Sequence, residues 1–114
     1  MSGVTRYACF GLLLLFVSCG PPPKAAAPAL TPQEAGALLH FNNKAQDWLK
    51  YVRKQNAACD YSLELPDQSS HPTSIDLDHI LMCGGRPSPR EYDASVSFAY
   101  DASAQKWTIS KFRS

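Results

Sequence analysis

The pattern of apolar positions after Thr31 predicts an amphipathic helix. Apolar residues recur there at spacings of three and four, which places them along one side of a helix. They are Leu38, Phe41, Ala45, Trp48, Leu49 and Val52. The preceding Thr31-Pro32-Gln33-Glu34 has the order of a capping box, with Thr at the N-cap and Pro at the first helical position. We therefore expect one long helix from about Pro32 to about Asn56.

Beyond Cys59 the hydrophobic period changes to two, which is typical of half-buried strands. Four segments alternate in this way: 60–65, 74–83, 95–101 and 106–112. The residues predicted to face inward are Tyr61, Leu63, Leu65, Ile75, Leu77, His79, Leu81, Val96, Phe98, Tyr100, Trp107 and Ile109. Short connections favour pairing in chain order. The sequence thus predicts an α+β domain, in which one long N-terminal amphipathic helix packs on a four-stranded antiparallel meander sheet.

The N-terminal region has the layout of a secretory signal peptide. Residues 1–7 carry one cation, Arg6, and residues 8–17 are an apolar run. A membrane-spanning helix needs about 20 apolar residues, so this run is too short to span. The segment Phe16-Val17-Ser18-Cys19-Gly20 resembles a bacterial lipobox. An ordinary signal peptide, cleaved further along the chain, is the alternative.

The lipobox resemblance implies cleavage before Cys19 and attachment of several acyl chains to that residue, which together make a firm anchor. By analogy with bacterial lipoproteins, the absence of Asp after Cys19 implies the outer membrane, facing the periplasm. Residues 20–29 contain four prolines and favour an extended spacer. We therefore divide the chain into a signal peptide at 1–18, a lipidated cysteine with a Pro/Ala-rich tether at 19–30, and an α+β domain at 31–114.

Cys9 leaves with the predicted signal peptide and Cys19 would carry lipid, so Cys59 and Cys83 are the two cysteines left to pair, and the periplasm is oxidising. A hairpin that places Cys59 opposite Cys83 also pairs inward positions with one another. The further pairs are Tyr61 with Leu81, Leu63 with His79, and Leu65 with Leu77. This register predicts a Cys59–Cys83 disulfide. A zinc or redox pair is the alternative, although such sites need further ligands or a Cys-x-x-Cys spacing.

Composition and motifs narrow the function classes. With 114 residues the chain forms at most one small domain, and its net charge of +1 argues against nucleic acid as a partner. The motifs that mark common catalytic sites do not occur, so we expect a non-enzymatic protein without cofactors or metal. One alternative stays open at an acidic cluster, because the predicted register makes Glu64 face Asp78 beside Asp76. Carboxylates of this kind suit calcium, whereas separate solvation is the simpler interpretation.

The segment after Cys83 is a candidate partner-binding loop. Arg86 and Arg90 are separated by prolines and followed by Tyr92, which makes a stiff, exposed combination of residue types common at interfaces. We expect a small lipid-anchored envelope protein with a non-catalytic binding or accessory role in the periplasm. Its partners would be the membrane, through the anchor, and an envelope protein of unknown identity. An envelope inhibitor or a ligand-binding lipoprotein is the alternative.

Overall fold

The computed structural model describes residues 26–114 and confirms the α+β class. In chain order the elements are α1 (Pro32–His40), α2 (Asn43–Gln55), β1 (Cys59–Tyr61), β2 (Ser74–Leu77), β3 (Leu81–Cys83), β4 (Arg86–Pro87), a 3-10 turn (Arg90–Tyr92), β5 (Ser95–Asp101) and β6 (Lys106–Arg113). The strands form two antiparallel sheets of three, ordered β1-β3-β4 and β2-β5-β6. The prediction of one long helix on a four-stranded meander is wrong in both details, because the helical segment forms two helices and the strands form two separate sheets.

The predicted helix is two helices because Asn42 begins a new one. The capping box forms as expected at the first start, where the Thr31 hydroxyl accepts a hydrogen bond from the Glu34 amide at 3.1 Å. At the second start, the Asn42 side chain accepts one from the Ala45 amide at 2.9 Å. Asn is among the strongest N-cap residues, so the chain ends α1 and starts α2 here. Phe41, which we predicted to be buried, is 82% exposed at this junction.

The predicted second strand is also divided, at His79. The backbone of His79 has φ 55°, a left-handed conformation that interrupts a strand. Before this residue, β2 pairs with β5, and Ile75 lies opposite Phe98. After it, β3 pairs with β1, and Tyr61 lies opposite Leu81. The predicted pairs Leu63 with His79 and Leu65 with Leu77 are therefore wrong, whereas the pairs nearer the cysteines are confirmed.

The Cys59–Cys83 disulfide is present and links β1 to β3 in the β1-β3-β4 sheet, which we call the disulfide-closed sheet. Cys59 is buried beside Leu81, and α2 packs over both through Leu49 and Val52. Immediately after the disulfide, Gly84 and Gly85 have φ values of 60° and 79°. Two consecutive positive φ angles make the tight two-residue turn that joins β3 to β4.

Strands β5 and β6 form the longest pairing, and a bulge in β6 determines which of its residues are buried. Ser97 lies opposite Lys111 and Phe98 opposite Ile109, so Ser110 is the extra residue. Strict alternation from Trp107 would have turned Lys111 inward. The bulge instead leaves Lys111 exposed and buries Phe112, a core residue that the sequence did not predict.

The break in the helix lets its two halves contact different strands. Helix α1 contacts β6 and helix α2 contacts β1. The larger core cluster contains Leu39 of α1 with Ile75, Val96, Phe98 and Trp107 of the β2-β5-β6 sheet. The smaller cluster lies between α2 and the disulfide-closed sheet. No helix within residues 26–114 has the length and apolar character needed to cross a membrane.

Residues just before α1 belong to the packed domain. Ala27 and Leu30 are buried, at 5% and 1% exposure. The amide group of Gln68 bonds both backbone groups of Leu30, accepting from its N–H at 2.7 Å and donating to its carbonyl at 2.9 Å. Ala27 and Leu30, which the prediction assigns to the tether, therefore pack with the domain.

Candidate binding surface

The three residues of the predicted partner-binding loop lie in different surroundings. Arg86 is exposed on β4, opposite Cys83. Arg90 is exposed at the start of the 3-10 turn. Tyr92, at the end of that turn, is half-buried and packs against the smaller core cluster. The loop is therefore not mobile throughout, because Tyr92 is held against α2.

Tyr92 meets two aromatic residues of α2. The Trp48 indole donates a hydrogen bond from Nε1 to the Tyr92 carbonyl at 3.1 Å. The Trp48 and Tyr51 rings stack, with centroids 5.2 Å apart and an interplanar angle of 24°. The Tyr51 ring meets the Tyr92 ring edge-on at 6.5 Å. We call these three side chains the aromatic surface.

The aromatic surface borders a cleft of about 460 Å³. Its lining residues are Lys44, Asp47, Trp48, Tyr51, Phe112 and Ser114. Tyr51 is 49% exposed although its ring is large and mostly apolar, and Trp48 is half-buried. A stacked pair of rings at the edge of a cleft offers a wide, rigid, partly apolar contact area at little entropic cost.

A second, smaller cleft adjoins the first, because Ser114 lines both. It measures about 230 Å³, and we call it the arginine cleft. Its charged residues are Asp78, Arg90, Asp93 and Arg113, and His79 also lines it. The side chain of His79 is 81% exposed and pairs with Asp93. The prediction that His79 faces the core is therefore wrong, since its backbone conformation turns the side chain out of the sheet.

Within residues 26–114, Arg90 is the cation of the arginine cleft that makes no ion pair. Arg113 lies 3.9 Å from Asp78 and also donates to the Ser95 hydroxyl at 3.2 Å. The carboxylate of Asp93 is engaged by His79 and accepts from the Ala94 amide at 2.8 Å. An anionic group that enters this cleft can therefore bind the guanidinium of Arg90, which pairs with no carboxylate among the described residues.

Both clefts lie at the end of β6 that is remote from the docked spacer. The spacer is held at the first end of β6, where the Trp107 indole donates to the Pro28 carbonyl at 3.0 Å. The clefts use Phe112, Arg113 and Ser114 at the other end. At about 3.3 Å per residue, the strand separates the two ends by roughly 20 Å.

A third cleft, of about 430 Å³, lies between the two helices and β1. Arg53 spans its edge, donating to the Cys59 carbonyl at 2.9 Å and pairing with Asp60 at 3.2 Å. Tyr61 donates from its hydroxyl to the Ala45 carbonyl at 2.6 Å. Burial, reinforced by the neighbouring Asp60 carboxylate, raises the pKa of Tyr61 well above its usual range. Arg53 and Tyr61 of this cleft thus hold α2 on β1.

The predicted juxtaposition of Glu64 and Asp78 does not form. Glu64 lies after the end of β1, and Asp76 lies opposite Ser97 in the β2–β5 pair. In the part of the chain from 26 to 114, no three His, Cys, Asp or Glu side chains are grouped for metal binding. Cys19, the predicted lipidation site, lies outside the described residues, as does the predicted signal peptide.

The sequence did not identify the aromatic surface as a site. The hydrophobic pattern places Trp48 in the buried stripe of the helix and leaves Tyr51 outside it. The available signal was the spacing of the two aromatic residues, since positions three apart are neighbours on a helix. None of the family models, curated proteins or solved structures compared with this chain matches it.

Proposed function

We propose that this chain is a small lipid-anchored envelope protein with a non-catalytic binding role in the periplasm. The observation that carries the proposal is the Cys59–Cys83 disulfide, because such bonds persist in oxidising compartments such as the periplasm. It agrees with the signal-peptide layout and the lipobox resemblance around Cys19. In this proposal Cys19 carries the acyl chains and the outer membrane holds the protein.

The binding role is supported by the aromatic surface and the arginine cleft. Exposed Tyr51 and the unpaired Arg90 are residue types that often dominate recognition, because they combine apolar area with directed hydrogen bonds. The clefts beside them adjoin the end of β6 away from the Trp107–Pro28 hydrogen bond, which leaves this surface accessible to a partner in the periplasm.

The alternative of an envelope inhibitor requires a projecting loop that plugs a target. The segment after Cys83 is instead held back at two points. The Ser88 amide donates to the Leu81 carbonyl at 3.0 Å, and Trp48 bonds the Tyr92 carbonyl. A surface that has clefts and whose loop is hydrogen-bonded to the domain favours a protein that binds ligands over an inhibitor that inserts a loop into its target.

The test of the anchor is the intact mass of the protein extracted from bacterial membranes, with and without reduction and alkylation. We expect a mass that begins at Cys19 and includes several acyl chains, with two thiols alkylated only after reduction. The Cys19→Ser variant is the matched control and should lose the lipid while retaining the disulfide. A lipid-free mass that begins beyond Cys19 would contradict the proposal.

A further inference from the structure

We propose that the three consecutive prolines at 21–23, which we call the proline tract, bind the cleft beside the aromatic surface of the same molecule and cover it until a ligand displaces them. This inference deepens the proposed function, on which it rests, because it names what controls access to the binding surface. The proline tract itself lies outside the described residues, whereas the cleft and the point where the spacer joins the domain lie within them.

The spacer is long enough to bring the proline tract to this cleft. The Pro28 carbonyl is held by Trp107 at the first end of β6, and the cleft uses Phe112 and Ser114 at the other end. At about 3.3 Å per residue, these points are roughly 16–23 Å apart along the strand. The tract lies five to seven residues before Pro28, which in polyproline geometry, at about 3.1 Å per residue, gives a reach of roughly 16–22 Å.

The cleft has the aromatic lining that binds prolines in other recognition sites. The stacked rings of Trp48 and Tyr51 line it together with the ring of Phe112. Grooves lined by aromatic rings take up extended proline-rich segments, which lose little entropy on binding because their backbone is already restricted. The proline tract is therefore a suitable occupant for a cleft with this lining.

The polar groups of the cleft also match the chemistry of this segment. A proline has a backbone carbonyl but no N–H, so three consecutive prolines present hydrogen-bond acceptors only. The Lys44 ammonium and the Tyr51 hydroxyl supply donors in the cleft. Asp47 supplies a carboxylate for Lys24, the residue that follows the tract. An occupant of this chemistry gives each charged group of the cleft a partner.

The covalent connection to the domain makes this contact effective. A segment joined to its binding site by a short linker has an effective concentration of about a millimolar there, so even a weak contact is populated. An external ligand has to displace the proline tract before it can use the aromatic surface. The tract thus sets the affinity that a ligand must exceed.

The test is photo-crosslinking within the full chain, extracted from membranes in detergent. Tyr51→p-benzoylphenylalanine places a photoreactive ring at the cleft, and Phe41→p-benzoylphenylalanine is the matched control at an exposed aromatic position elsewhere. We expect the probe at position 51 to attach to residues 20–24 in a product of monomer size, identified by mass spectrometry of its peptides. The probe at position 41 should not attach to this segment.

Replacement of all three prolines by Ser should lower the crosslinking yield at position 51 about tenfold or more. Replacement of Ala25 and Ala26 by Ser, in the same spacer, is the control and should leave the yield within about twofold. A product of dimer size would overturn the proposal in favour of binding between two copies of the chain. Unchanged yield without the prolines, or equal attachment from position 41, would overturn it outright.

A soluble peptide with the sequence of residues 20–28 gives a second measurement, whose sign a purely structural role of the prolines would not produce. We expect the peptide to bind the variant without the proline tract about tenfold more tightly than it binds the parent, because the parent's own tract competes with it. Equal affinity for the two proteins would contradict the proposal.

The failure of this inference is distinguishable from the failure of the proposed function. A protein whose mass shows the acyl chains but whose position 51 does not attach to residues 20–24 retains the anchor and loses the control of the cleft. A lipid-free protein that still gives the crosslink retains the contact of the proline tract and loses the anchor.

Discussion

The indole of Trp107 and the carbonyl of Pro28 are joined by a 3.0 Å hydrogen bond across 79 positions of sequence. Trp107 is itself 2% exposed, so the bond holds the segment before α1 against the interior of the larger core cluster. The His71 ring adds a contact of 3.3 Å to the Ala27 carbonyl. A stretch whose prolines suggest a passive spacer thus ends as part of the core.

We expect Leu30→Ala to lower the free energy of unfolding by about 2–5 kcal/mol, since the side chain is 1% exposed and its removal leaves a cavity. Urea unfolding followed by Trp fluorescence measures the difference. Leu38→Ala, at a half-buried position of α1, is the matched control and should cost less. Equal losses at the two positions would show that the segment before α1 does not pack as described.

The disulfide should contribute about 3 kcal/mol to stability, because it closes a loop between cysteines 24 positions apart. Reduction should therefore lower the unfolding midpoint by roughly 12–24 °C, at about 4–8 °C per kcal/mol for a domain of this size. Differential scanning calorimetry with and without reductant measures the shift, and the Cys59→Ala/Cys83→Ala double variant should be insensitive to reductant. An unchanged midpoint on reduction would contradict a stabilising role.

The start of α2 should depend on one side chain. Asn42→Ala removes the oxygen that accepts from the Ala45 amide, at an expected cost of about 1 kcal/mol. Asn43→Ala, one residue later and exposed, is the control and should be neutral or slightly stabilising, since Ala is the better helix former inside the first turn. Guanidinium unfolding of both variants separates the two effects. A larger loss at Asn43 than at Asn42 would mean that α2 starts elsewhere.

Alkaline pH should weaken the attachment of α2 to β1. The pKa of Tyr61 is raised in the folded state, so the folded protein holds this proton more tightly than the unfolded chain does. The corresponding stability is fully present below the ordinary tyrosine pKa of 10.0 and is lost as pH rises above it.

Tyr61→Phe should cost about 1 kcal/mol near neutral pH, where the hydroxyl bonds the Ala45 carbonyl. The stability gap between this variant and the parent should narrow as pH rises from about 8 to about 11. A gap at Tyr61 that stays constant over this range would refute the linkage.

Short sequence patterns correctly predicted the elements that depend on neighbouring residues. The capping box at Thr31 and the alternation that defines β5 have the predicted bounds, and the register next to Cys59 follows from the disulfide. Hydrophobic periodicity could not locate the helix break, because Asn42 falls between two apolar positions of a stripe that continues across it. N-cap chemistry overrode the stripe there.

The division into two sheets depends on one backbone angle. A continuous strand through His79 satisfies the alternation equally well, and the sequence carries no Gly or Pro at that position to signal a break. The pairing of β2 with β5 joins residues from 19 (Leu77 with Val96) to 25 (Ser74 with Ala99) positions apart, a separation similar to that of the β1–β3 pairs. The same angle exposes His79 and so creates one wall of the arginine cleft.

Two helix–sheet halves that share no strand pairing can open at different rates. The disulfide ties β1 to β3, whereas no disulfide links β2, β5 and β6 to one another. Trp48 and Tyr61 pack against both core clusters and are the side chains that join them. Amide hydrogen exchange should therefore show two cooperative units, one for each core cluster, and the aromatic surface should lie where they meet. Occupation of that surface would clamp the units together and slow exchange in both.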